Sequence, residues 1–227
     1  MERISLLEVE PELGSGLGED QREAAEIGLE APVVALPPGP WEPPPQGEAD
    51  GFVYLMVDGM MLRRVAIEAG CSIELLAGGD CLLTWREEAA SFSCAQWEVV
   101  DRTRLAILDL RPGSAISRWP AIAVTIAGRA VDRSRRLALQ SAIMSVVGIE
   151  ERLHSLLWSF AERWGKVVPR GTEVELALPQ QVLAEMVGAR RPTVSLALGN
   201  LRGRGLVEFD GSGHWLLKGP PPALAGD

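Results

Sequence analysis

Apolar residues near the C-terminus recur at helical spacing in two short runs, which are separated by Gly188 and Ala189. The runs contain Val182, Leu183, Met186 and Val187, followed by Val194, Ala197, Leu198 and Leu201. This period predicts two helices joined by a tight turn. Glycine is the most favourable residue where a helix ends in the left-handed conformation, and Pro192 fits the first turn of the second helix because an N–H has no helical partner there. The pattern therefore predicts a helix-turn-helix.

Two β-like runs follow the second helix, LVEF at residues 206–209 and HWLL at residues 214–217. The four residues between them are Asp, Gly, Ser and Gly, a composition typical of a hairpin turn. The helix-turn-helix is therefore predicted to be winged. An ordinary helical hairpin inside a core is the alternative interpretation of the same spacing.

Residues 52–109 consist of short β-like runs separated by turn sequences such as Asp58-Gly59 and Gly78-Gly79-Asp80. Several short strands at regular spacing predict an antiparallel sandwich or roll. Ahead of this region, residues 1–30 predict a short amphipathic helical lead-in. The proline-rich segment at 36–47 predicts a stiff connector rather than a helix or a central strand.

A long helix is predicted from about Ala121 to Val147, where a three-four repeat of apolar residues is typical of a coiled-coil seam. The repeat contains Ala123, Ile126, Ala130, Leu137 and Met144, with Arg133 and Gln140 as polar interruptions. The seam predicts a parallel homodimer, and packing of the helix on its own β-domain is the alternative. Gly148 separates this helix from a second one predicted at 149–164 and is a candidate hinge.

The net charge of −9 is distributed unevenly along the chain. Residues 1–131 contain 10 Lys and Arg against 21 Asp and Glu, or −11, and residues 132–227 contain 12 against 10, or +2. A helix-turn-helix is a common DNA-binding motif. Because the C-terminal part is only mildly basic, DNA binding by it would depend on a local basic footprint, supplied by Arg190, Arg191, Arg202, Arg204 and Lys218.

The side chains that catalysis or metal binding requires are scarce. The three cysteines, Cys71, Cys81 and Cys94, lack CxxC spacing, so neither a disulfide framework nor a zinc site is predicted, and we expect them to be buried apolar residues. The histidines, His154 and His214, do not lie in a nucleophile motif. The sequence predicts no metal, no cofactor and no enzymatic activity. No apolar run reaches eighteen residues, so we expect a cytoplasmic, soluble protein without a membrane partner.

The segment VGARRPTVSLALGNLRGRGLV, residues 187–207, is similar to the winged helix of Crp/Fnr-type bacterial transcription regulators. This resemblance implies an α+β fold with an N-terminal antiparallel β-roll of the cupin-like jelly-roll type and its helical lead-in at 1–120, a dimerisation helix at 121–147 and a winged helix-turn-helix at 148–218. A Pro/Gly-rich tail at 219–227 is predicted to be disordered. The resemblance also implies a homodimeric, sequence-specific transcription regulator that binds double-stranded DNA, with RNA polymerase as a candidate partner.

By the same resemblance, the second helix reads the major groove of DNA. Arg191 matches the position of a guanine-reading arginine, Thr193 that of a phosphate-contacting hydroxyl, and Ser195 that of a serine used by the Fnr branch. Pro192 and Leu196 stand where the family often has Glu and Arg, so we do not predict the standard palindrome; Leu196 either touches a thymine methyl or packs. The candidate DNA-binding residues are Gln180, Gln181, Arg190, Arg191, Pro192, Thr193, Ser195, Leu196, Asn200, Arg202 and Arg204.

The β-domain departs from the cyclic-nucleotide-binding branch of the family. The turn LAGGD at 76–80 resembles the one that opens the ligand cassette, but Leu83 and Thr84 occupy the positions of its Gly-Glu pair. Phe92, Ser93 and Cys94 occupy those of its Arg-Ser-Ala. A buried cyclic phosphate without that arginine loses its strongest hydrogen bonds, so binding of cyclic AMP or GMP in the usual way is disfavoured.

Three interpretations of the β-domain stay open. Trp85, Phe92, Cys94 and Trp97 are candidates to line an apolar pocket for another small-molecule effector. Alternatively, they form the core of a ligandless barrel in an effector-independent, constitutive regulator. A cyclic-nucleotide-responsive regulator is the least favoured of the three.

Overall fold

The computed structural model of the protein describes residues 2–44, 51–68, 70–83, 92–211 and 213–222. The chain divides into two compact units, Met1–Arg135 and Arg136–Asp227. The first begins with β1 (Arg3–Ser5), α1 (Leu6–Val9), α2 (Glu19–Gly28), β2 (Glu30–Leu36), β3 (Gly39–Trp41), β4 (Phe52–Ile67), β5 (Gly70–Ala77), β6 (Cys81–Leu82) and β7 (Cys94–Asp109). The remaining elements are α3 (Pro120–Ser145), α4 (Ile149–Trp164), β8 (Gly165–Val168), β9 (Gly171–Glu175), α5 (Gln180–Met186), α6 (Arg191–Gly203), β10 (Val207–Phe209) and β11 (His214–Leu217).

The first unit is built on an antiparallel sheet in the order β1-β2-β7-β4-β5, with β3 paired to β7 and β6 paired to β4. The two longest strands, β4 and β7, pair from Phe52↔Asp109 to Ala66↔Cys94. Along β7 the buried positions alternate with more exposed ones over much of its length, as expected where one face of a strand lies on a core. The α+β class and the antiparallel β-roll predicted from the sequence are confirmed.

Asp58 and Gly59 form an irregularity within β4 instead of the predicted turn. The register of β4 against β7 shifts around these two residues. The Thr103 hydroxyl of β7 fills the irregularity and accepts a hydrogen bond from the Met60 N–H at 3.1 Å. A Cβ at Gly59, where φ is +88°, would lie 2.3 Å from that hydroxyl. The two strands predicted on either side are therefore one bulged strand.

Two apolar clusters are present among the described residues of the first unit. One combines the sheet with the N-terminal helices and the start of α3, and includes Leu13, Val53, Leu108, Trp119, Ile122 and Ile126. The other is formed by strand residues and includes Met56, Leu76, Trp97 and Leu105. Trp41 packs edge-on against Trp97 beside this second cluster. Part of the predicted connector, Gly39–Trp41, pairs with β7 and is therefore strand β3. Residues 45–47 of the connector lie outside the described residues.

The predicted dimer seam on α3 is partly used inside the chain, which corrects that prediction. Ile126 is buried in the first unit and has no surface left for a second copy. Met144 lies against Gly188 within the second unit. The other seam residues are more accessible, with Ala123 and Leu137 exposed and Ala130 half-buried.

A different face of α3 carries apolar side chains that are exposed. Val124 is 72% exposed and Val131 is 52% exposed, and the two lie seven residues apart on the side of the helix opposite Ile126. The apolar period of this helix therefore combines two faces, one that packs on the core of the first unit and one that does not.

The second unit has the predicted winged helix-turn-helix arrangement. Its antiparallel sheet has the order β10-β11-β9-β8; the predicted wing hairpin is present as β10–β11, and β8 and β9 form a second antiparallel pair. Helix α4 buries Leu153, Leu156 and Leu157 and packs against α6. Of the predicted disordered tail, residues 223–227 lie outside the described residues. Among the residues that are described, no helix has the length and apolar composition needed to cross a membrane.

Candidate nucleic-acid interface

The turn between α5 and α6 is held in place by neighbouring helices of the second unit. Gly188 ends α5 in the left-handed conformation, at φ +65°, and the Ala189 N–H donates at 2.8 Å to an α5 carbonyl. A Cβ at Gly188 would lie 2.7 Å from the Met144 methyl carbon. Arg152 of α4 donates to the Val187 carbonyl at 3.2 Å. These contacts, together with the glycine that the turn requires, set the direction in which α6 starts.

The buried face of α6 determines which residues the helix presents. Val194, Ala197 and Leu201 are buried within the second unit. The candidate DNA-binding residues of this helix lie on its other faces and are all exposed, namely Arg191, Pro192, Thr193, Ser195, Leu196, Asn200 and Arg202.

The N-terminal end of α6 carries two arginines whose side chains have no partner among the described residues. Arg190 is the N-cap residue and Arg191 the first residue of the helix, and both are exposed. Within the part of the chain that the structure describes, neither guanidinium makes an ion pair or a hydrogen bond. The exposed Thr193 hydroxyl lies in the same turn. The unpaired N–H groups of a helix N-terminus add a partial positive charge, so this end of α6 is suited to an anionic partner.

The two glutamines at the start of α5 are tied into local hydrogen bonds. Gln180 accepts a hydrogen bond of 2.7 Å from the Ser195 hydroxyl of α6. Gln181 donates at 2.9 Å to Glu185, one turn further along α5. Gln180 and Ser195 are therefore brought together as one polar unit at the α5–α6 junction, a pairing that the sequence did not predict.

The C-terminal end of α6 differs from its N-terminal end because its polar side chains are bound by the protein. Asn200 donates to the carboxylate of Glu150, and Arg204 lies 3.5 Å from the other oxygen of the same carboxylate. Arg202 donates to the Phe209 carbonyl at 3.1 Å. Glu150, in the first turn of α4, is the site residue that sequence reasoning missed. Since it is 50 residues from Asn200, no local pattern in the sequence could have indicated it.

The wing carries acidic side chains that neutralise much of its positive charge. His214 Nδ1 lies 2.9 Å from Asp210 Oδ2, and this hydrogen bond raises the pKa of the imidazole, with the charge of Asp210 as the next contribution. Lys218, which belongs to the predicted basic footprint, is paired with Glu208. Arg190 and Arg191 therefore place two positive charges, unpaired among the described residues, next to each other at the start of α6, and Lys166 of β8 is exposed at a separate position.

The described members of the candidate ligand pocket differ in exposure and in the face of the strand on which they lie. Phe92 is 75% exposed and Cys94 is also exposed, whereas Trp97 is buried, with its ring centroid 5.7 Å from that of Trp41. Cys94 and Trp97 are three residues apart on β7, and an odd spacing in a strand places side chains on opposite faces. Trp85 lies outside the described residues.

The cysteines are not uniformly buried, contrary to expectation. Cys71 and Cys94 are exposed, and Cys81 is buried. Burial raises the pKa of the Cys81 thiol to about 12, so this group stays protonated at neutral pH. Among the described residues, no cluster of His, Cys, Asp and Glu side chains has the composition to hold a metal ion.

Two arginines of α3 are paired with groups of the first unit. Arg129 donates to the Gly79 carbonyl and to Glu10, each at 2.7 Å. Arg133 donates two hydrogen bonds to the buried Glu74, at 2.6 and 2.7 Å. Gly79 belongs to the turn that resembles the opening of the ligand cassette, so Arg129 ties α3 to this turn through a backbone carbonyl.

A family model described as the Crp-like helix-turn-helix domain matches residues 151–220. Among solved structures, a CooA mutant from Carboxydothermus hydrogenoformans is 21% identical over 83% of this chain and 84% of that chain, with a TM-score of 0.66. FixK2 from Bradyrhizobium japonicum is 18% identical over 83% of this chain and 93% of that chain, with a TM-score of 0.63. A cyclic nucleotide-binding domain containing protein from Listeria monocytogenes EGD-e is 16% identical over 95% of this chain and 98% of that chain, with a TM-score of 0.68. No curated protein is similar enough in sequence to match. At these identities, the likeness to solved structures establishes a shared fold.

Proposed function

We propose that this protein, which has a Crp-like helix-turn-helix domain and the fold of the Crp/Fnr transcription regulators, is a homodimeric regulator that binds specific sequences in double-stranded DNA. The observation that supports this most directly is the pair Arg190 and Arg191, exposed and without a protein partner among the described residues. A guanidinium at the start of a helix in the major groove suits bidentate contact with guanine O6 and N7, or contact with a phosphate. Arg191 is the proposed base-reading residue.

The proposed homodimer depends on the free face of α3. Val124 and Val131 are exposed apolar residues one heptad apart, and Gly128 between them has no atom within 4 Å of the position of a Cβ. A second copy of α3 on this face removes both valines from water, and the glycine permits a close approach. This face takes the place of the buried Ile126 in the proposed interface, while Ala123, Ala130 and Leu137 of the predicted seam stay accessible to a second copy. Two copies related by a two-fold axis require half-sites about 34 Å apart, one turn of DNA.

The proposal for the first unit is that it does not bind cyclic AMP in the usual way. The contacts of Arg129 with Glu10 and the Gly79 carbonyl and of Arg133 with Glu74 support the effector-independent alternative, because they tie α3 to the β-domain without a ligand. A regulator that senses another small ligand is the competing version. Stabilisation of the full-length protein against thermal unfolding by a small ligand would separate the two.

Selection from random duplex DNA by the purified full-length protein, at one defined salt concentration and with or without cyclic AMP, tests the proposal. We expect a two-fold symmetric motif that is recovered equally in both conditions. A motif that requires cyclic AMP would overturn the proposal for the first unit and leave DNA binding intact. Recovery of no motif in either condition would overturn the proposed function.

A further inference from the structure

The outward line of α6 lacks hydrogen-bonding side chains. The buried residues Val194, Ala197 and Leu201 define the rotation of the helix. At 100° per residue, the line opposite to them contains four exposed residues, Pro192, Leu196, Gly199 and Gly203. None of the four has a side chain that donates or accepts a hydrogen bond, and the polar candidates lie to either side of the line. The part of α6 that reaches furthest from the domain is therefore apolar.

Leu196 is the one large side chain on this line. Its exposure distinguishes between packing in the protein core and contact with DNA. It is 67% exposed, so it does not serve the core of the second unit. In the major groove the apolar feature that distinguishes one base from the others is the 5-methyl group of thymine. Leucine has no atom that could read a hydrogen-bonding pattern, and contact with that methyl group is the readout its chemistry allows.

Gly199, one turn after Leu196, is an exposed glycine inside the helix. A Cβ at this position would have no atom within 4 Å, so the fold has room for alanine. Glycine is also unfavourable in the interior of a helix. The absence of a side chain would let the helix backbone approach a binding surface closely at this position.

We infer that Leu196 determines part of the DNA specificity by covering the methyl group of one thymine in each half-site, and that Gly199 lets α6 lie deep enough in the groove for this contact. Arg191 then reads guanine by hydrogen bonds at the start of the helix, and Leu196 reads thymine by apolar contact one turn further on. This inference rests on the proposed function and names the base that the same site selects.

Deoxyuridine provides the test, because it differs from thymidine only by the missing methyl group. Each thymine of the selected motif is replaced in turn, and binding of the full-length protein is measured by fluorescence anisotropy. For the wild-type protein, we expect one position per half-site at which the replacement weakens binding about four-fold, the effect of one buried methyl group. In Leu196→Ala, we expect weaker binding to the thymine site and equal binding of thymine and uracil at that position.

Two further variants separate recognition from folding. Val167→Ala makes a comparable substitution at a residue of β8 that is 83% exposed, and it should retain the wild-type response to uracil. Gly199→Ala should raise the midpoint of thermal unfolding and weaken binding to the selected motif, a combination that a purely structural role does not produce.

Different results would overturn this inference and the proposed function. Equal binding of thymine and uracil at every position by the wild-type protein, or an unchanged methyl dependence in Leu196→Ala, would overturn this inference while DNA binding stands. If no motif is selected at all, the proposed function fails, and this inference fails with it.

Discussion

The two ends of α6 carry the same type of residue in different electrostatic situations. At the N-terminal end, Arg190 and Arg191 have no protein partner among the described residues. At the C-terminal end, Arg204 is paired with Glu150, and Arg202 is bonded to the Phe209 carbonyl. The comparison shows that arginines counted from the sequence do not measure the basic surface offered to DNA. An arginine beside its own carboxylate contributes little field to a distant phosphate.

The difference has a cause in the packing of the second unit. Helix α4 crosses the C-terminal half of α6 and brings Glu150 to Asn200 and Arg204. The N-terminal end of α6 projects from the turn at Gly188 and receives no acidic side chain from the described residues.

Arg191→Ala should have the largest effect on DNA recognition. Loss of a bidentate contact with guanine is worth roughly 1–3 kcal/mol of discrimination at one base pair. Arg204→Ala, the matched variant at the other end, should change affinity for the selected site much less. Competition binding with the motif and with single-base variants measures both. Equal losses in the two variants would contradict the asymmetry.

Gly188→Ala should destabilise the second unit and reorient the N-terminal end of α6. A left-handed conformation costs a residue with a Cβ roughly 1–2 kcal/mol, and the new methyl group also meets the Met144 side chain. Urea unfolding measures the change in the free energy of unfolding. The loss should be smaller when Gly188→Ala is made in a Met144→Ala background, because the steric part is then relieved. An identical loss in both backgrounds would show that Met144 does not press on the turn.

Glu150→Gln should remove the carboxylate that pairs with Arg204 and so make the two ends of α6 electrostatically more alike. We expect stronger non-specific DNA binding and a steeper dependence of log K on log salt, by up to about 0.9 for one additional phosphate contact. The loss of stability should be small, roughly 0–1 kcal/mol, as for other exposed ion pairs. Glu162→Gln removes the same charge from an exposed position of α4 and is the control. An equal change in salt dependence for both variants would mean that only net charge matters.

The smallest expected effect is on the pKa of His154, which is sensitive to the nearby charge of Arg204. Burial lowers the pKa of His154, the charge of Arg204 lowers it further, and Glu151 opposes them. Its Nε2 accepts a hydrogen bond from the Trp158 indole at 3.0 Å, which protonation would break. Since the folded pKa lies below the unfolded value, this histidine favours the folded state above that value, and the contribution is lost as pH falls from about 6.5 through the folded pKa.

NMR titration of His154 in Arg204→Ala should show a higher pKa than in the wild type, but one still below the ordinary value because burial remains. His214 is the internal reference, since its pKa is raised mainly by the hydrogen bond to Asp210 and should not respond to Arg204. An unchanged titration of His154 would place Arg204 elsewhere.

The sequence was informative where a residue's role depends on its neighbours in the chain. The apolar period on either side of Gly188, Pro192 in the first turn of α6 and the turn composition before His214 predicted the winged helix-turn-helix, and the structure has it. These signals are local because helix periods, turn conformations and hairpins are determined within a few residues. At Asp58 and Gly59 the predicted turn was wrong, because the Thr103 hydroxyl, 43 residues from Met60 in the chain, stabilises a bulge within one strand.

Only the tertiary structure determined which apolar faces are exposed and which charged side chains are paired. The repeat along α3 did not reveal that Ile126 belongs to the core of the first unit and that Val124 and Val131 are exposed, because one helix can show apolar residues on two faces. Nor did the strand pattern place Phe92 and Cys94 at the surface. Local periodicity thus determined the elements and their order. The availability of each side chain to DNA or to a second copy was decided by contacts between residues distant in the chain, of which Glu150 with Arg204 is the clearest case.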